Sequence, residues 1–70
     1  MSDKIHITAN GKPYVLDAPM SLPDFLATQK LVPERVVVER NREALTPEET
    51  LKVKLADGDN LEIVRIVAGG

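Results

Sequence analysis

A chain of 70 residues with no cysteine must hold its fold by packing alone. No disulfide can constrain its unfolded state, and a core drawn from so short a chain is small. The arrangement of its apolar residues is therefore the main constraint on the fold. Apolar residues make up 43% of the chain, an ordinary globular level,. The period of the pattern changes along the sequence, and each change marks a different element.

Lys4-Ile5-His6-Ile7-Thr8 alternates and predicts a strand with Ile5 and Ile7 inward,. Asn10-Gly11 tolerates positive φ at both positions and predicts a hairpin,. Tyr14 to Asp17 returns as a second strand, with Tyr14 and Leu16 inward and Pro13 at its start,. Ser21 is placed to cap a helix whose first turn tolerates Pro23 and favours Asp24,. Leu22, Phe25 and Leu26 then fall on one helical face,. The pattern predicts a helix from Leu22 to about Lys30, with Pro33 closing the segment,.

Val36 to Glu39 is β-branched and predicts a third, internal strand,. Asn41-Arg42 reads as a turn and Glu43-Ala44-Leu45 as a short strand piece. Thr46-Pro47-Glu48-Glu49 suggests a single helical turn,. Leu51 to Leu55 alternates, as a short strand or an extended crossing would. Asp57-Gly58-Asp59-Asn60 reads as a turn, and Leu61 to Val67 as the last strand,. The expected fold is α+β, a mixed four- to five-stranded sheet with one main helix packed across one face. The expected organisation is one domain over residues 1–67 and a flexible tail over residues 68–70.

Several function classes find no support. The net charge of −2 leaves no basic footprint for nucleic acid,. No apolar stretch reaches bilayer-spanning length and no signal core precedes the first strand, so no membrane partner and a cytoplasmic location are expected. His6 is the only histidine, and with no cysteine a metal centre lacks ligands,. Asp57 and Asp59 suit turn chemistry better than a calcium loop. Arg35, Arg40, Arg42, Lys52 and Lys54 read as mostly solvated. No nucleophile–base pair can be assembled, so the chain is not expected to be an enzyme. In the last strand Leu61 and Ile63 share one face and Val64 and Ile66 the other, which predicts an outward docking patch of Val64, Ile66 and Val67,.

The element order, the Asn10-Gly11 hairpin, the Ser21-Leu22 helix start, Asp57-Gly58-Asp59 before the last strand and the terminal Gly69-Gly70 together resemble one family, in which many members have glycine where Ala68 stands. It is the ThiS family of thiamine-biosynthesis sulfur carriers, which are ubiquitin-like β-grasp proteins. The small subunit of molybdopterin synthase shares that fold and tail. The resemblance implies that the Gly70 carboxylate is the working group, behind Ala68 and Gly69. It implies an E1-related adenylating enzyme that spends ATP on that carboxylate, a persulfide sulfur donor, and thiazole synthase as acceptor of a thiocarboxylate. It implies no stably bound cofactor, and a monomer is expected for the free protein. Glycines at positions 69 and 70 suit a tail that threads a narrow channel, because glycine has no Cβ and accepts φ/ψ values closed to other residues. Sulfur delivery to molybdopterin, a ubiquitin-like protein modifier and a plain interaction module remain as alternatives.

Overall fold

The computed structural model describes residues 3–67. The expected tail of residues 68–70 lies outside the described residues. Strands β1 (Ile5–Ala9) and β2 (Lys12–Leu16) form an antiparallel hairpin, with Ile7 opposite Tyr14. Asn10 and Gly11 take φ of 51° and 79°, as the hairpin signal requires,. Pro13 sits inside β2, which is tolerated because β2 is an edge strand,.

Helix α1 spans Leu22–Thr28, and the Ser21 Oγ accepts the Asp24 N–H at 3.1 Å. It stops two residues short of the expected Lys30. The Leu31 N–H bonds to the Leu26 carbonyl and the Lys30 N–H to the Ala27 carbonyl. Lys30 occupies the left-handed position, φ 61°, that glycine usually fills in such a stop,. With no glycine there, the sequence carries no sign of this ending. Pro33 does not simply close the segment. It opens a 3-10 turn over Pro33–Arg35 that leads into β3 (Val36–Arg40).

Asn41 and Arg42, both at positive φ, turn the chain into the two-residue β4 (Glu43–Ala44). Helix α2 (Pro47–Lys52) is longer than the single turn expected. A complete capping box starts it: the Thr46 Oγ1 accepts the Glu49 N–H at 3.1 Å, and the Thr46 N–H donates to the Glu49 carboxylate at 2.8 Å,. The helix takes Leu51 and Lys52 from the segment that read as a strand or crossing. Only Val53 to Leu55 remains extended, fixed to the entry of α1 by Leu22 N–H to Val53 carbonyl and Leu55 N–H to Met20 carbonyl, each 2.9 Å. Leu51 points to solvent and Thr50 is the buried residue of the helix.

Strand β5 (Asn60–Arg65) completes a five-stranded sheet in the order β2-β1-β5-β3-β4. It runs parallel to β1 and antiparallel to β3. The core lies between the sheet and α1. Phe25, Leu22, Leu26, Leu61 and Val38 are its fully buried large side chains. Each such burial is worth about 1.5–3 kcal/mol. Tyr14 meets Phe25 edge-on at 5.2 Å between ring centroids. Among the described residues no helix is long and apolar enough to cross a membrane.

Asp59 does more than shape a turn. It is buried, 5% exposed, and its carboxylate accepts from the Arg40 Nε at 3.0 Å, the Asn41 Nδ2 at 3.1 Å and the Ala56 N–H at 2.9 Å. Arg40 is therefore engaged within the chain rather than solvated. These bonds tie the end of β3 to the start of β5. Burial pushes the Asp59 carboxyl up, but the Ala56 N–H, the Asn41 amide and the Arg40 guanidinium together outweigh it and hold the pKa below the ordinary 3.8,. A depressed folded-state pKa stabilises the fold fully above the unfolded value, and that contribution is lost as pH falls through the folded one. Urea denaturation should show Asp59→Ala losing about 2–4 kcal/mol, because three donors lose their acceptor,. Below about pH 4 the wild-type chain should lose stability more steeply than Asp59→Asn. Equal slopes would remove Asp59 from the acid response.

Candidate functional site

The sequence places the candidate working group after β5, so the site is built from what fixes the end of that strand. On one side β5 pairs with β3 from Arg40–Leu61 to Val36–Arg65. The Ile66 N–H then donates to the Arg35 carbonyl at 2.8 Å, carrying the support one residue past the strand. On the other side β1 pairs only with Asn60 and Leu61. The ladder would stop there, but the side chain of Asn10 continues it. Its Oδ1 accepts the Ile63 N–H at 2.7 Å, and its Nδ2 donates to the Ile63 carbonyl at 3.1 Å. The hairpin asparagine thus serves twice, once through its φ and once as a substitute strand residue. The sequence signals only the first role, because the second depends on a partner 53 positions away.

The docking-patch residues lie where alternation puts them. Leu61 and Ile63 enter the core, while Val64 is 60% and Ile66 49% exposed on the opposite face. Val67, 86% exposed, follows the last of these bonds. Val37, directly opposite Val64 in the ladder, is 47% exposed and joins the patch. The run of three valines at 36–38 reads as buried on both faces, and that concealed Val37. Strand β3 is internal, yet β4 pairs with it only at Glu39 and Arg40, and Val37 faces outward. Beside the patch a recess of about 150 Å³ is lined mainly by apolar residues, Val37 and Ile66 among them, with Glu34 and Thr50 as its polar members. Isolated apolar side chains on a surface are ordinary, whereas apolar side chains grouped on neighbouring strands are the kind of surface that protein contacts use.

Gly70, Gly69 and Ala68 lie outside the described residues, so the geometry ends at Val67. His6 is exposed on β1, with its Nδ1 3.4 Å from the Asp57 carboxylate. That carboxylate also accepts the His6 backbone N–H at 2.7 Å, so Asp57 fastens the turn before β5 to β1. Among the described residues no group of three or more His, Cys, Asp or Glu side chains is placed to hold a metal. Chemically, then, the described part offers a rigid mount for whatever follows Val67 and an apolar strip beside it.

Comparison with known proteins agrees with this geometry. The ThiS family model matches residues 6–70. The sulfur carrier protein ThiS of Bacillus subtilis (strain 168) is 42% identical over 50 residues, 71% of this chain and 76% of that protein. The thiazole synthase of Magnetococcus marinus is 34% identical over 67 residues, 96% of this chain; the chain spans only 20% of that enzyme's length. The crystal structure of the thiamine biosynthesis protein ThiS from Geobacter metallireducens has the same fold, with a TM-score of 0.76 at 32% identity over 94% of this chain and 100% of that one. With the family match covering nearly the whole chain and the fold shared with a solved member, the chain belongs to the ThiS family of β-grasp sulfur carriers.

Proposed function

We propose that the chain carries sulfur for thiamine biosynthesis as a thiocarboxylate on Gly70, made by partner enzymes and handed to thiazole synthase. The observation that carries this reading is a family match reaching Gly70, on a fold whose central strand holds its exit rigidly as far as Ile66. A carboxylate resists nucleophiles because it is anionic and lacks a leaving group. Adenylation by an E1-related enzyme, using ATP, converts it to a mixed anhydride and releases pyrophosphate. The terminal sulfur of a persulfide then attacks the carbonyl carbon and AMP departs. Cleavage of the resulting S–S bond by a thiol leaves the sulfur on Gly70.

In this scheme the chain is a cosubstrate, and the catalytic groups belong to its partners. The β-grasp body supplies recognition and orientation, and the residues after Val67 supply reach. Val64, Ile66 and Val67, with Val37, form the face that docks on the adenylating enzyme. Thiazole synthase is favoured as acceptor over molybdopterin synthase. A segment similar to this chain occurs within the thiazole synthase of M. marinus, so carrier and synthase sequences occur there in one polypeptide.

Intact-mass analysis after incubation with the adenylating enzyme, ATP and a persulfide donor should show one oxygen of Gly70 exchanged for sulfur. Absence of the exchange, under conditions that convert another ThiS protein, would refute the proposal. Val64→Gln/Ile66→Gln should slow that conversion about tenfold, the effect of losing about 1.4 kcal/mol of docking energy. Thermal unfolding should change little, since both side chains are exposed,. Conversion at the wild-type rate would mean that this face does not dock.

A further inference from the structure

Along the outer face of the two central strands the register brings like residues together in successive rungs. Val37 stands opposite Val64, and Glu39 stands opposite Glu62. The apolar rung is the one nearer the chain's exit. Directly opposed side chains in an antiparallel pair have Cβ atoms about 4.5–5.5 Å apart, and like charges in that position destabilise the sheet. Both glutamates are exposed, and neither takes part in an ion pair or a side-chain hydrogen bond among the described residues. The cations nearest in sequence, Arg40, Arg42 and Arg65, do not relieve them, and Arg42 forms no ion pair among the described residues. Arg40 alternates to the inner face and is bonded to Asp59, and Arg65 likewise alternates away from Glu62 and Val64. The free protein thus keeps an unfavourable carboxylate pair on its most central strands, beside its exposed apolar strip.

A partner that brings one cation to this rung gains two attractions and removes one repulsion. We infer that Glu39 and Glu62 together seat one arginine or lysine side chain of the adenylating enzyme, while the Val37–Val64–Ile66 strip packs against an apolar patch beside that cation. The inference rests on the proposal that this face docks the adenylating enzyme. That enzyme meets a plain carboxylate on the tail, the commonest of chain ends, so the folded body adds to the selection that the two glycines provide. A second copy of this chain is a poor occupant, because a two-fold pairing of this face would bring together two copies of the same carboxylate pair. Charged groups at the rim of an interface act mainly on association rate and specificity, and their effect falls with salt.

The test is the association rate of the full chain with the adenylating enzyme, measured at low and at high ionic strength, beside the melting temperature of the free chain. Glu39→Gln/Glu62→Gln should associate about tenfold more slowly at low salt and nearly as fast as wild type at high salt. The same variant should melt about 1–5 °C higher, because the repulsion is gone. Weaker binding with a more stable free state separates a partner seat from a role in the fold, which would lower both. Wild-type rates at both salt concentrations, or a lower melting temperature, would overturn the inference. Val64→Gln/Ile66→Gln separates the two levels: if it alone loses binding, the face docks without an acidic seat, and if neither variant does, the docking proposal fails as well.

Discussion

Strand β5 lies between a parallel and an antiparallel neighbour, and the rest of the molecule depends on that placement. A strand paired on both sides cannot slip by one residue without moving Leu61 and Ile63 out of the core and Val64 and Ile66 into it. The parallel pairing with β1 requires a long crossover, and α1, β3, β4 and α2 supply it,. Strand β5, which follows that crossover, is therefore the one that locks the sheet. Asn10 extends its support on the β1 side, and Asp59 fixes its start against Arg40 and Asn41. The chain leaves the middle of the sheet from a strand hydrogen-bonded on both sides at its start and on the β3 side as far as Ile66.

That arrangement divides the labour between the two faces of a small sheet. The inner face gives its side chains to the core with α1, and stability comes mainly from Phe25, Leu22, Leu26, Val38 and Leu61. The outer face contributes little to packing and is free to carry recognition. Its central rungs carry an exposed apolar strip and an opposed pair of glutamates. A fold of this size has little stability to spare, so two like charges set directly opposite each other weigh on it more than they would on a larger one,.

Much of this was legible in the residues themselves. Period-two alternation located β1 and β5, Asn10-Gly11 located the hairpin, and Ser21 with Leu22, Phe25 and Leu26 located α1 and its buried face. What escaped the sequence depended on partners distant along the chain. The end of α1 was hidden because lysine, not glycine, takes the left-handed position. Leu51 and Lys52 alternate as a strand would, yet the capping box at Thr46 and Glu49 carries the helix through them. Asp59 looked like a turn residue because its acceptor role needs Arg40 and Asn41, and Val37 looked buried because a valine run does not say which face is covered. The chemistry assigned to Gly70 came from family resemblance, and alternation in β5 supplied only the face beside it.

In the proposed scheme the outer face of β3 and β5 meets the adenylating enzyme and thereby brings Gly70 to it. Backbone amide chemical-shift mapping of the isotopically labelled chain, titrated with that enzyme, tests this most directly. Shifts or broadening are expected at Val37, Glu39, Glu62, Val64 and Ile66, with the amides of Phe25 to Thr28 in α1 little changed. Perturbation centred on α1 or α2, with the β3–β5 face quiet, would contradict the scheme.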